Sequence, residues 1–261
     1  MSIKAQVGVM RRKLLASMHP RRVSLGDRGP IISFTFDDFP RTALTVGGHI
    51  LRTYGLRGTY YVAMGLMNDI NHLGDQFRRD DLDVLLREGH ELASHTFGHV
   101  SCRSVSCSTF SDEVEKGRRA IREITGLEES GNFAFPFGEV TLSAKRAVGQ
   151  KVTSSRGIWS GVNGPDVDLN LLRANSLYGD CANSAAVREL ILENERLKGW
   201  LIFYSHDVRS TPSRFGCTPE LLEFAVLFAS QRCARILTVA EVVAELVASP
   251  LQQTLVVDTS L

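Results

Sequence analysis

The feature that most constrains the fold is a sevenfold alternation. Short apolar, strand-type runs occur at 31–36 (IISFTF), 58–63 (GTYYVA), 90–94 (HELAS), 132–135 (NFAF), 152–157, 199–204 (GWLIFY) and 235–237 (RIL). Helix-type stretches follow at 42–54, 79–88, 109–125, 141–149, 184–198, 219–232 and 239–247, where apolar residues recur about every 3.6 positions. Capping residues support these helices: Asp80 and Asp81 open DDLDVLLREG and Gly89 closes it, while Ser184 opens SAAVRELILENERLKG and Gly199 closes it. Seven strand-then-helix units predict parallel strands joined by right-handed crossovers. Polar candidates follow several of the strands along the whole chain, as the C-terminal face of a barrel requires. A closed or nearly closed β/α barrel therefore accounts for the pattern better than a doubly wound sheet.

A chain of 261 residues suffices for one barrel-sized domain. The expected layout is an extension over 1–29, a catalytic domain over 30–249 and a tail over 250–261. The segment 160–182, rich in Gly, Asn and Asp and weakly periodic, is expected to be a surface loop, a candidate to line a site. A net charge of +1 argues against a nucleic-acid or anionic-membrane partner, and the basic residues among the first thirty read as a solvated face. No window has the roughly 18 to 20 apolar residues of a membrane span. No apolar core precedes a cleavage site, so no export signal is expected. Five scattered cysteines do not make a disulfide framework; free thiols and a cytoplasmic location are the expectation.

Four short segments carry the chemistry. In TFDDFP, a buried-type strand runs into adjacent carboxylates, Asp37 and Asp38, which is unfavourable unless positive charge lies beside them. In SHTFGH, His95 and His99 are four apart, a spacing that puts two imidazoles on one face of a helix or helical turn. One carboxylate completes such a pair into a transition-metal site, and the second remains available as a base. In FAFPFG, a strand ends at Pro136 in a turn able to aim a backbone N–H into a pocket. In YSHDV, His206 follows a strand end at the same rim, placed for acid–base work. Asp207, on the other side of an extended chain, is not expected to be its partner.

These motifs, in this order and over residues 30 to 240, resemble the polysaccharide deacetylase (NodB-homology) family, carbohydrate esterase family 4. The resemblance implies a distorted, incomplete (β/α)7 barrel in a single domain. It implies a metal-dependent hydrolase, most often with zinc, that removes N-acetyl or O-acetyl groups from an acetylated sugar or oligosaccharide. It implies Asp37 as base, Asp38, His95 and His99 as metal ligands, the Phe137 N–H as oxyanion donor and His206 as acid, with Thr35 and Pro40 shaping the first motif. Trp159 is loosely matched to an aromatic of the acetyl pocket. The sequence departs from the family pattern at Phe39, where Gly is usual; at Ala134, where an Arg orients the base; and at Tyr204, where Leu is usual. Phe39 is expected to add bulk beside the metal, and Arg156, on a neighbouring strand, to replace the missing Arg. The alternatives are a C–N hydrolase of the same fold acting on a small non-sugar amide, and an inactive sugar-binding or regulatory protein.

Overall fold

The computed structural model describes residues 15, 17–126, 128 and 130–248. The tail over 250–261 and the first fourteen residues of the expected extension lie outside the described residues. In chain order the strands are β1 (Arg22–Ser24), β2 (Ile31–Asp37), β3 (Thr59–Val62), β4 (Ile70–Asn71), β5 (Gly74–Asp75), β6 (Glu91–Ser94), β7 (Asn132–Ala134), β8 (Ser154–Arg156), β9 (Asp166–Asp168), β10 (Asn175–Ser176), β11 (Trp200–Ser205) and β12 (Arg235–Ile236). The helices are α1 (His49–Thr53), α2 (Arg79–Arg87), α3 (Cys107–Thr125), α4 (Leu142–Gly149), α5 (Ser184–Leu197), α6 (Pro219–Gln231) and α7 (Val239–Val247). A π-helical stretch, Ala43–Gly48, leads into α1. All seven expected strands and all seven expected helical stretches are therefore present.

Eight strands form one parallel sheet in the order β10-β11-β2-β3-β6-β7-β8, with β12 paired to the start of β2. Every residue of β2 is buried, and both of its edges are paired. β11 runs along one edge, from Ile31 to Phe36. The other edge is shared: β12 takes Ile31 and Ile32, and β3 takes Thr35 to Asp37. Helices pack around the sheet by apolar faces such as Leu221, Leu222, Ala225, Val226 and Ala229 of α6. The sheet is strongly curled, since Arg156 in β8 reaches Asp37 in β2 although three strands lie between them in sheet order. This is a single α/β fold with a curled, barrel-like parallel sheet.

The segment 160–182 is not the surface loop expected. It contains β9 and β10, and Val167, Leu169, Leu171, Leu172, Ala174 and Leu177 are buried. β9 pairs antiparallel with β1, inside the expected N-terminal extension. Further on, Leu172 accepts the Gly157 N–H and its own N–H reaches Ser155 O, so the segment covers the free edge of β8 before β10 joins β11. It thereby bridges the opening between the two ends of the sheet. Loop-type composition hid these contacts because the backbone changes direction too often for either period to develop.

The helix ends follow local chemistry. The Asp81 carboxylate accepts the Arg78 N–H at 2.8 Å at the start of α2. Ser106 and Thr141 accept the Thr109 and Ala144 N–H groups at the starts of α3 and α4. Among the described residues no helix is long and apolar enough to cross a membrane.

At the N-terminal end of the barrel, buried His90 accepts the Gly58 N–H on Nδ1 at 2.9 Å, so the neutral ring helps to fix the start of β3. Burial, aided by the charges of Arg52 and Arg57, lowers its pKa to about 4. Between about pH 6.5 and 4 the unfolded chain binds a proton that the folded chain does not. The stability present above pH 6.5 is then lost as pH falls, by up to about 3 kcal/mol for this residue. We expect His90→Asn, which retains a side-chain acceptor, to flatten the decline of Tm between pH 6.5 and 4. An unchanged slope in pH-dependent thermal melts would assign the acid sensitivity elsewhere.

Candidate functional site

The parallel register brings the motif residues to one end of the sheet. Asp37 is level with Tyr61, Val62 with Ser94, and Ser205 with Phe36, so His95 and His206 leave their strands beside Asp37. A cavity of about 280 Å³ opens there, walled by Asp37, Asp38, His95, His99, Phe137 and His206. Arg156 lies behind this wall, fully buried against Asp37.

The local backbone is bent to make this arrangement. Asp38 and Phe39 are successive left-handed residues (φ 62° and 65°), which turn the chain sharply at the end of β2. The SHTFGH segment is not helical. Thr96 and His99 are left-handed (φ 62° and 52°), and the turn they make brings the two imidazole centroids within 5.0 Å. Its peptides are held by α3: Phe97 N–H donates to Glu113 O, and Gly98 N–H to the Glu113 carboxylate at 2.8 Å. Gly117 of α3 permits this approach, since a Cβ there would lie 2.7 Å from the Thr96 carbonyl carbon. In the third motif Phe137 and Gly138 are also left-handed, and a Cβ on Gly138 would meet Ile158 at 2.1 Å.

Asp38, His95 and His99 each present a ligand atom, all within 4.8 Å of one another. Asp38 Oδ1 lies 3.5 Å from His95 Nε2 and 3.1 Å from His99 Nε2, and it is buried without a hydrogen-bond partner. His95 Nδ1 donates to Ala134 O at 2.7 Å, which leaves the Nε2 lone pair facing Asp38. Burial lowers the pKa of His95 to about 3 and of His99 to about 4, so both rings are neutral near pH 7. Burial, with the neighbouring Asp37 charge, raises Asp38 to about 6. Two neutral imidazoles, a carboxylate and an orphaned buried oxygen suit a divalent transition metal, whose charge would remove the penalty on Asp38.

Asp37 is treated differently by its surroundings. Burial is the largest influence and raises its pKa, but Arg156, His95 and His206 together outweigh it, and the carboxyl lies below its ordinary value. The Arg156 guanidinium bonds Asp37 Oδ1 and packs over the Tyr61 ring at 4.4 Å and the Tyr204 ring at 5.4 Å. Ala134 is level with Arg156 in the neighbouring strand and is buried beside Tyr61. His206 Nδ1 donates to Phe215 O at 3.1 Å, which directs Nε2 away from that loop. Thr35 Oγ1 donates to Phe203 O at 2.9 Å, tying β2 to β11 just before the carboxylates. Pro40 bridges to Gln76. Asp207 is fully buried and bonds Ser213 rather than His206.

Two expectations need correction. Phe39 does not add bulk beside Asp38. Its ring is fully buried in the core, stacked on Phe77 at 5.2 Å and tilted on Tyr60 at 5.1 Å. The usual Gly there is explained by the left-handed backbone. Trp159 packs on the Phe110–Phe135 core, and its neighbour Ile158 lines the cavity instead. The sequence reading missed His72, Leu73, Tyr178, Arg214 and Phe215, which also line the cavity. They come from irregular segments, and only the His and Arg residues carried any chemical signal.

The polysaccharide deacetylase family model matches residues 26–152, which include the first three motifs. Over this stretch the chain is similar to the polysaccharide deacetylase family. The family match ends before Arg156 and His206, so both are placed by the fold alone. No curated protein sequence matches the chain. Solved structures share the fold. A Mycobacterium smegmatis protein named as a polysaccharide deacetylase has a TM-score of 0.63 at 15% identity, covering 93% of this chain and 98% of that one. The carbohydrate esterase family 4 domain of a multidomain xylanase from the Trinervitermes trinervoides hindgut metagenome has a TM-score of 0.56 at 21% identity, covering 84% and 92%. A family 4 carbohydrate esterase from Streptomyces lividans, solved with acetate, has a TM-score of 0.51 at 17% identity, covering 80% and 91%.

The core role of Phe39 can be tested by Phe39→Gly. Removing a buried Phe side chain costs about 3–5 kcal/mol, and relieving a left-handed residue returns about 1. We expect urea unfolding to show a net loss of roughly 2–4 kcal/mol. A neutral or stabilising result would put the ring outside the core.

Proposed function

We propose that this protein is a metal-dependent hydrolase that removes an N-acetyl group, or an O-acetyl group, from a carbohydrate. The observation that carries this reading is the division of two adjacent carboxylates: Asp38 completes a ligand triad with His95 and His99, while Asp37 is charge-paired to buried Arg156. The donor set favours Zn²⁺ among divalent metals. Bound there, such an ion would polarise the acetyl carbonyl and lower the pKa of water from about 15.7 to about 7.

The chain's own residues supply the remaining roles. Arg156 occupies Asp37 Oδ1, leaving Oδ2 to take the proton of the attacking water. The Phe137 N–H, on its left-handed turn, donates to the developing oxyanion, a contribution of roughly 3 kcal/mol for one good donor. His206, with Nδ1–H held by Phe215 O, gives its Nε2 proton to the departing amine. Leu73, Ile158 and Tyr178 supply an apolar wall for the acetyl methyl. The cavity, about 280 Å³, is at the small end for ligand sites and suits one sugar unit better than a run of several.

That small size also favours a second reading, in which the same chemistry acts on a small non-sugar amide. An inactive sugar-binding protein is the weaker alternative, because Asp37, Asp38, His95, His99 and His206 all converge on the cavity.

Acetate release from N-acetylglucosamine and its short oligomers tests the reading. We expect turnover that a chelator abolishes and Zn²⁺ restores. Release from simple acetamides only would favour the second reading, and release from neither would sink both. Asp37→Asn should lower kcat by about 10²–10⁴-fold while calorimetry still counts one bound metal. His95→Ala should lose metal and turnover together. Loss of metal in Asp37→Asn would reverse the roles of the two carboxylates.

Arg156→Met should lower kcat more than it changes KM and leave metal stoichiometry intact, with partial recovery in Arg156→Lys. Full activity in the Met variant would remove Arg156 from the machinery.

A further inference from the structure

The loop that follows His206 is fixed with unusual care. Asp207 is fully buried, and its carboxylate accepts from Ser213 N at 2.8 Å and from Ser213 Oγ. Arg209 pairs with the same carboxylate at 2.8 Å. The Asp207 carbonyl accepts Cys217 N–H at 3.0 Å, and Ser213 Oγ accepts Phe215 N–H at 3.2 Å. Gly216 is pressed so close that a Cβ there would lie 2.4 Å from Asp207. A buried carboxylate is costly to desolvate and is strongly constrained once satisfied. Here its hydrogen bonds fix the peptides of 213–217.

What this clamp holds at the cavity is Arg214. Its guanidinium lies over the Phe215 ring at 4.5 Å, and both residues line the cavity. The turn between β4 and β5 brings His72 edge-on to the same ring at 6.1 Å. Arg214 has no carboxylate partner among the described residues, although many of the exposed arginines elsewhere have one. The other charges of the cavity wall are already committed: Asp37 to Arg156, and Asp38 to the ligand triad. Arg214 is therefore the unmatched charge of the wall, on a planar fork that stacking has already oriented.

We propose that Arg214, supported by His72, selects a substrate that carries an anionic group, a carboxylate or a phosphate ester, beside the sugar that bears the acetyl group. This rests on the deacetylase reading for the reaction but not for the binding. The guanidinium presents paired donors that match two oxygens of either anion, and His72 adds a ring N–H whichever tautomer it adopts. The Arg214 charge attracts the anion, and the Asp207 clamp fixes the backbone from which that side chain projects.

The test uses three probes that share the acetamido group: N-acetylglucosamine, N-acetylglucosamine 1-phosphate and N-acetylglucosaminuronic acid. Affinity is measured by titration calorimetry with the metal-loaded protein, and acetate release is measured in parallel. We expect at least one anionic probe to bind about tenfold or more tightly than the neutral sugar, the effect of one charge-assisted hydrogen bond. The arm with the larger ratio identifies carboxylate or phosphate. In Arg214→Gln that ratio should fall to about one, with Arg214→Lys between, and added salt should lower it in the unmodified protein. Equal affinity for all three probes, no affinity for either anion, or a ratio that survives Arg214→Gln would overturn the proposal. A preserved ratio in the unmodified protein without acetate release would instead overturn the deacetylase reading and leave the anion site standing.

Discussion

The buried pair of Arg156 and Asp37 is the interaction on which the rest of the site depends. Its partners belong to β8 and β2, which the sheet order separates by β3, β6 and β7. They can meet only across the inside of a curled sheet, so the pair forms when the barrel does. Both charges are fully buried or nearly so, and removing either would strand the other at a cost of about 3–5 kcal/mol. The guanidinium is enclosed by Tyr61 and Tyr204, and the small Ala134 stands on the strand between β6 and β8, beside Tyr61. Arg156 is level with Ala134 on the next strand and reaches Asp37 from there. With Asp37 neutralised in this way, Asp38 can occupy the next residue without two bare carboxylates facing each other.

Strain is concentrated around the same point. Of the nine non-glycine residues with positive φ among the described residues, five are Asp38, Phe39, Thr96, His99 and Phe137. Each such residue costs of the order of 1–3 kcal/mol and persists only where packing over-determines it. Phe39 is locked between Tyr60 and Phe77, Thr96 lies against Gly117, and the Phe137 ring packs on His99 at 4.4 Å. The strained turns reverse the chain just beyond β2, β6 and β7, which is how strands ending side by side can aim their next side chains at one point. The exposed face of Phe137 and the neighbouring Ile158 leave an apolar lip on the cavity for the substrate to cross.

Much of this was legible in the sequence because parallel strands buried on both faces leave continuous apolar runs, and their C-terminal ends carry the chemistry. That logic located Asp37, Asp38, His95, His99 and His206 at one rim, whereas Arg156 was reached only through the family resemblance and its missing Arg. It could not give the direction of a side chain after a strand ends. Phe39 turns into the core because its φ is positive, and SHTFGH brings its imidazoles together by two left-handed residues rather than by helical spacing. Nor could periodicity detect the burial of 160–182, or the approach of His72 and Arg214, because irregular segments carry no repeat and their partners are distant in sequence.

The two ends of the barrel treat their buried carboxylates differently. At the N-terminal end, polar side chains at the starts of β3, β6, β7 and β8 form a continuous belt. Thr59 Oγ1 and Asn132 Nδ2 donate to Glu91 at 2.8 and 2.7 Å, and Ser154 Oγ donates to Asn132 Oδ1 at 2.6 Å. Ala240 N–H, in the first turn of α7, adds a third donor to Glu91 at 2.8 Å. Burial raises the Glu91 pKa, but both its oxygens have donors. At the C-terminal end Asp38 Oδ1 has no hydrogen-bond partner, and among the described residues Arg214 has no carboxylate partner. A fold that satisfies a buried carboxyl so thoroughly at one end has the means to do so at the other. In the function proposed above, the unmatched groups at the cavity are the places of a metal and a substrate.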